Sequence, residues 1–264
     1  VSEFPASGLT MAPLGSPPIV LTSIDTTIDD TSVDWKLGVN WQIQDSTLVY
    51  VNLSQGTKSG GFFTGVATQQ AQLEPYDAET LTAFEAGVKG RNSDNGLTYE
   101  ASIFYYDYED VQTYITDTTG LVSVNRLDNV KGATIYGLDL VAQWRPPSLE
   151  ALNLSAGIGI LDTELEAFAG PVGIVPKGNE QPDAPDLTTN LMATYNFDLT
   201  SSLSAQIAID GRYQSDAFHT ALNSPLLASD SYWVWNARFS TYIEDRWEFS
   251  AWVKNLDDEE YVVQ

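Results

Sequence analysis

The chain has no cysteine and a single histidine, His219. The first absence excludes a disulfide framework and any thiolate metal site. The second excludes a histidine-rich metal centre and confines any Ser-His-Asp constellation to residue 219. Basic residues are scarce as well: 12 Lys and Arg stand against 36 Asp and Glu, a formal net charge of −24. So acidic a chain offers no general surface for neutralising phosphates, and no nucleic-acid partner is expected. No apolar run reaches the roughly 18 residues of a spanning helix. No basic, apolar, small-residue leader opens the chain; Val1-Ser-Glu-Phe-Pro5 reads as mid-chain sequence. There is no G-x-S-x-G elbow, P-loop, H-E-x-x-H or complete dinucleotide fingerprint. The acidic run Asp257-Asp-Glu-Glu260 lacks the spaced Asp/Asn-Gly pattern of a calcium loop. The expectation is no enzyme, no catalytic residue, no cofactor and no metal.

What is present is aromatic and alternating. With 13 Tyr, 7 Trp and 10 Phe, the chain is too rich in aromatics for a disordered segment. Residues 1–32 are rich in Gly, Pro, Ser and Thr and read as a long extracellular loop or inter-strand segment. From Val33 the texture changes. Val33, Trp35, Leu37, Val39, Trp41 and Ile43 alternate with Asp34, Lys36, Gly38, Asn40, Gln42 and Gln44, the period-2 pattern of a strand with one apolar and one polar face.

The pattern recurs. About ten strands are predicted, near 33–44, 47–58, 78–90, 96–116, 131–145, 152–163, 186–197, 203–215, 231–243 and 247–256. Most exceed the usual five or six residues of a soluble strand. Connections alternate: short at 45–46, 91–95, 146–151, 198–202 and 244–246, long at 59–77, 117–130, 164–185 and 216–230. Short turns at one end and long loops at the other mark an outer-membrane barrel. In hydrocarbon every backbone N–H and C=O needs an internal partner, so spanning strands must close into a barrel. Trp35, Trp41, Tyr99, Tyr105, Trp144, Tyr195, Tyr213, Trp233, Trp235 and Trp247 fall near strand ends on the apolar side, as interfacial girdles do. A soluble β-sandwich, for example a carbohydrate-binding module, accounts poorly for strand length and loop asymmetry. A passive porin-like channel remains an alternative.

Five segments then carry a family resemblance. Leu48-Val-Tyr50-Val-Asn-Leu-Ser54-Gln-Gly56-Thr-Lys58-Ser-Gly60-Gly61-Phe62 resembles the YxxxSxGxKSGGF stretch of TonB-dependent receptor barrels. Glu79 to Lys89, with Glu85 and Gly87, is similar to their E…yElGlK strand. Phe104 to Gln112, with Asp110, is similar to FyxdYxDxQ. Asn129 to Asp139, with Gly137, resembles NaGxaxxyGxE, with Asp139 in place of the usual Glu. Val253-Lys-Asn255-Leu256-Asp257-Asp258-Glu-Glu-Tyr261 resembles vxNLfDexY. The five occur in the family's order.

Each segment also has a physical reading. Gly56, Gly60 and Gly61 free the backbone where a strand bends into a loop, and Gly87 and Gly137 permit curvature or close approach within a strand. Glu85 and Lys89 share the inner face with Gly87 and are placed to pair across strands or with a plug. Asn255 and Asp258 are turn-formers.

The resemblance implies an all-β fold, an antiparallel transmembrane β-barrel of which this is the C-terminal part: about ten strands of an expected 22-stranded barrel. Residues 33–264 would be barrel. The N-terminal plug, the TonB box, the upstream strands and the final strand would lie outside the sequence, which stops at Gln264. The implied function is energy-coupled uptake of a scarce ligand, a ferric siderophore being the favourite, in the outer membrane of a Gram-negative bacterium. The implied partners are membrane lipid, the chain's own plug, the TonB complex acting through it, and the small-molecule ligand. Candidate ligand contacts are the long-loop residues Phe62, Phe63, Tyr76, Phe168, Phe218 and His219.

Overall fold

In the computed structural model, ten antiparallel strands form one open sheet whose spatial order follows the chain. Residues 10–11, 19–20, 27–29, 31–63, 67, 69–117, 124–170, 173–244 and 246–262 are described. The wall strands are β1 (Trp35–Gln44), β2 (Thr47–Lys58), β3 (Glu79–Asn92), β4 (Leu97–Asp117), β5 (Val124–Trp144), β6 (Leu152–Leu165), β7 (Leu187–Thr200), β8 (Leu203–Gln214), β9 (Tyr232–Ile243) and β10 (Trp247–Val253). Each pairs only with its sequence neighbours, so the sheet is a meander, and its turns alternate between a short-turn end and a long-loop end.

Register carries the alternation from strand to strand. On one face Val39, Val51, Ala86, Ile103, Leu138, Ile160 and Leu187 stand directly opposite one another in sequence. Further rows of the same face run through Tyr195, Ile207 and Phe239, and through Tyr213 and Trp233. Between the row Leu53–Phe84–Tyr105–Tyr136 and the short turns, no residue of this face is charged. Its large side chains stay open: Ile103 is 54% and Ile160 46% exposed. A contiguous apolar band of this breadth requires an apolar partner.

The opposite face carries the charges, but it is not uniformly polar. Tyr50, Phe104, Tyr106 and Tyr108 stand among Glu85, Lys89, Glu100 and Asp139. Lys89 pairs with Glu100 on the neighbouring strand at 2.6 Å and lies 5.3 Å from the centre of the Tyr50 ring. The Tyr50 hydroxyl is hydrogen-bonded to Glu85. Tyr50 lies directly across from Gly87, and a Cβ at that glycine would fall 2.6 Å from its ring. Phe104 lies on Gly137 in the same way, also at 2.6 Å. The missing side chains thus let an aromatic from the next strand lie flat on the wall, a pairing that recovers packing a bare glycine loses.

The wall departs from the sequence expectation at two places. Residues 117–130 are not one long loop: β4 extends to Asp117, β5 begins at Val124, and the two remain paired, so that only 118–123, outside the described residues, connect them. The last wall strand stops at Val253 rather than near 256, because Asn255 takes a φ of 53°. The remaining long connections hold small hairpins, Phe168–Gly170 with Gly173–Val175 and Ala217–Phe218 with Ala228–Ser229. Within residues 1–32, Thr10–Met11 pairs with Ile19–Val20; most of that segment lies outside the described residues.

Candidate functional site

The long-loop end holds two structures, a polar knot over β2–β5 and a small loop core over β4–β8. The knot is built on Gln112. Its side-chain amide donates to the carbonyls of Ser59 and Asp77 at 3.0 Å and of Lys58 at 3.3 Å. Its backbone N–H donates to the Glu79 carboxylate at 2.8 Å. Asn129, on the paired strand, repeats the device. Its side-chain nitrogen donates to the carbonyls of Asp110 (2.7 Å) and Asp77 (3.0 Å), and its side-chain oxygen accepts the Asp77 N–H at 2.6 Å. Asp110 has a φ of 55°, a conformation asparagine and aspartate tolerate better than other side chains. Lys58 faces Glu79 at 3.9 Å, and Arg126 closes the outer edge on Glu74 at 3.1 Å and Asp128 at 2.6 Å.

Gly60 and Gly61 belong to the knot for a steric reason. Neither has a positive φ. A Cβ on Gly60 would sit 2.5 Å from the Tyr76 carbonyl, and one on Gly61 2.7 Å from the Tyr76 hydroxyl. Gly61 and Tyr76 exchange both backbone hydrogen bonds, at 3.0 and 2.9 Å. Gly56, by contrast, has open space where its Cβ would be.

The loop core packs Leu165, Val175 and Ala133, all buried, against Tyr108, Val111, Phe168, Ala221 and Leu222. The 166–186 and 215–231 connections are stitched together above it. Asn223, at a φ of 51°, accepts the Glu180 N–H at 2.7 Å and donates back to the Glu180 carbonyl at 3.1 Å. Asn179 donates to the Ala221 carbonyl at 2.8 Å, and the Asp183 N–H to the Phe218 carbonyl at 2.8 Å. His219 Nδ1 meets the Asp183 carboxylate at 2.7 Å. A cavity of about 300 Å³ opens between Tyr114, Phe168, Val175, Thr220 and Leu222. Glu180 and Asp186 both titrate above the ordinary carboxylate range. For each, burial is the first cause, reinforced at Glu180 by Asp186, Asp216 and Asp162 and at Asp186 by Asp162 and Asp216.

The candidate contacts therefore separate. Phe168 lines the cavity, and residues 218–219 run into its Thr220–Leu222 wall. Phe63 meets Tyr114, a cavity-lining residue, edge-on with ring centres 6.4 Å apart. Tyr76 is engaged with Gly61 in the knot. Phe62 is half-buried beside it in sequence. Tyr114 is the residue that sequence reasoning missed: it sat inside a predicted strand, and only the tertiary pairing shows its ring between Phe63 and Phe168. A larger concave surface, about 840 Å³, lies near the short turns between Trp144 and Trp235. It is a groove in the apolar face.

The segment after β10 forms a third fixed element. Asn255 donates its backbone N–H to Asn236 at 3.0 Å, and its side chain exchanges two bonds with the Glu259 backbone at 2.9 and 3.0 Å. The Leu256 N–H donates to the Trp235 carbonyl at 2.8 Å, and Asp258 sits at a φ of 55°. Tyr261 then stacks on Tyr232, ring centres 4.8 Å apart.

The family described as TonB dependent receptor-like, beta-barrel matches residues 15–256, nearly the whole chain. The chain belongs to that family. Among solved structures, the TonB-dependent receptor wall seen here is similar to the ferric yersiniabactin uptake receptor FyuA of Yersinia pestis. That match has 20% identity and a TM-score of 0.70, covering 86% of this chain and 32% of that one. It is similar to the siderophore receptor PiuA of Acinetobacter baumannii, at 20% identity and a TM-score of 0.68 over 95% of this chain and 34% of that one. It is also similar to the ferric-catecholate import receptor Fiu of E. coli K12, at 18% identity and a TM-score of 0.65 over 97% and 36%. The chain thus spans about a third of the length of these receptors. The ten-strand sheet is part of a TonB-dependent receptor barrel, and its open edges, β1 and β10, are where further strands would pair.

Proposed function

We propose that the parent protein sits in the outer membrane of a Gram-negative bacterium and takes up a scarce small molecule, a ferric siderophore, by energy-coupled active transport. The observation that carries this reading is the division of the wall. An uncharged apolar band faces lipid on one side, and a charged inner face leads to stitched loops at one end only. On this reading the long loops face the exterior and receive the ligand. The inner face, with Glu85, Lys89 and Glu100, surrounds a plug, and the TonB complex acts on that plug from the periplasmic side. The names of the similar receptors, three of them ferric or siderophore receptors, support iron as the cargo. Phe63, Phe168, Phe218 and His219 are proposed contacts, joined by Tyr114; Phe62 and Tyr76 would act from the knot side.

The chemistry required is binding and passage, with no bond made or broken by the wall. Radiolabelled ferric siderophore uptake should fall to background in a strain lacking this gene and equally in a strain lacking TonB. Uptake that needs the gene but persists without TonB would refute energy coupling through TonB.

A further inference from the structure

The loop cavity and the charge around it restrict the ligand further. This step rests on the reading that the long loops receive the ligand. Among the described residues, the cavity walls hold no charged side chain: Tyr114 and Phe168 supply rings, Val175 and Leu222 branched chains, and Gly170 and Ala221 leave the space open. An apolar cavity of about 150 Å³ is enough to take up benzene, so about 300 Å³ holds one ring and the start of its linker. Phe63 packs edge-on against Tyr114 at 84°, adding a second ring beside the one that lines the cavity.

The two connections that enclose this cavity, 166–186 and 215–231, carry Glu166, Glu180, Asp183, Asp186, Asp216 and Asp230. Their one cation, Lys177, is already paired with Glu166 and faces Glu164 at 3.9 Å. Burial first, and nearby carboxylates second, make Glu180 and Asp186 hold their protons more tightly than free carboxylates do. A mouth with one sign of charge concentrates ligands of the opposite sign and repels its own. The hydroxyls of Thr113, Tyr114 and Thr220 are the polar side-chain groups of the lining, and they offer an anion no positive charge to offset that repulsion.

We propose that this cavity is a subsite for an aromatic group carried by a ligand of neutral or positive net charge, so that polyanionic chelates are not its substrates. The acidic loops set the charge preference, and Tyr114, Phe168 and Ala221 set the shape. The test uses the full-length receptor in lipid nanodiscs with three iron-free probes read by saturation-transfer NMR: benzyltrimethylammonium, benzyl alcohol and benzenesulfonate. The ammonium and the alcohol should bind, with the sulfonate weaker by about tenfold or more at low salt, and the gap should shrink as salt rises. Ala221→Trp should abolish binding of the alcohol. Asp186→Asn combined with Asp216→Asn should narrow the gap between the two ions and leave the alcohol unchanged, which guards against a misfolded filled-cavity variant. Equal or tighter binding of the sulfonate, absence of binding by all three, or alcohol binding unaffected by Ala221→Trp would overturn the proposal. Because no probe contains iron, these outcomes are independent of whether the cargo is a ferric siderophore.

Discussion

Below the row Leu53–Phe84–Tyr105–Tyr136, the molecule is held by strand ladders and by strict alternation of apolar and polar faces. Above that row it is held by amide side chains that grip particular backbone carbonyls. The two regions answer to different physics. In the spanning wall each backbone group already has its partner on the next strand, so a side chain need only be of the right class for its face. At the long-loop end the strands run past the apolar band, and burial is confined to the small core around Ala133, Leu165 and Val175. Gln112, Asn129 and Asn223 take over, and there a change of one functional group removes the interaction. This is why several of the recognisable motif residues, Lys58, Gly60, Gly61, Asp110 and Gln112, gather in the knot rather than along the lipid face.

The sharpest way to break the comparison is to put a charge where class matters. Leu138→Arg, in the middle of the apolar face, should destabilise the full-length barrel by about 2–4 kcal/mol. Ser102→Arg, on the opposite face, should cost far less. Denaturant midpoints of the two variants in lipid check this, and equal losses would mean that the faces are misassigned.

The next largest effect tests the knot. Gln112→Ala removes the donor shared by three carbonyls and should cost about 1–3 kcal/mol, expressed locally. Protease cleavage within 59–78 should accelerate while the wall stays intact. Gln112→Leu should behave alike, whereas polar substitutions on the wall's inner face should leave cleavage unchanged.

An effect of similar size is expected where aromatics lie on glycines. Gly87→Ala forces the Tyr50 ring away and should cost about 1–3 kcal/mol. In a Tyr50→Ala background the same substitution should be close to neutral. A double-mutant cycle without coupling would show that the ring contact carries no energy.

The smallest effect is one of pH. Glu180 and Asp186 have folded-state pKa values raised by burial and like charges. For a raised carboxylate the favourable contribution is complete below the unfolded pKa and disappears as pH rises through the folded value. The stitched loops should therefore resist proteolysis better as pH is lowered through the raised pKa values of these two carboxylates, and Asp186→Asn should flatten that trend. A loop that loosens on acidification would contradict the assignment.

The contrast also explains what could be read from the chain alone. The wall was legible almost strand by strand, since lipid on one side and water on the other impose period 2 on every spanning segment. The outer half of the β4–β5 hairpin was not. Its residues, among them Asn125, Asp128 and Asn129, look like loop, and what holds them extended is pairing with Val111–Asp117 and, at Asn129, bonds to Asp110 and to Asp77, the latter 52 positions away. The motif containing Gln112 was visible, but the carbonyls it serves, 35 to 54 residues distant, were not. The loop cavity was hidden for the same reason: Tyr114 comes from a strand and Phe168 and Ala221 from two different connections, and they meet only in the fold.

The account turns on which face of the wall meets lipid, and β5 offers a direct measurement. The chain has no cysteine, so single cysteines can be placed in turn from Gly137 to Ala142 of the full-length receptor and spin-labelled. Collision with oxygen, which partitions into lipid, should be high at 138, 140 and 142, and collision with a water-soluble nickel chelate low there, with the order reversed at 137, 139 and 141. A flat profile, or water access at Leu138 and Leu140, would contradict a membrane-spanning wall.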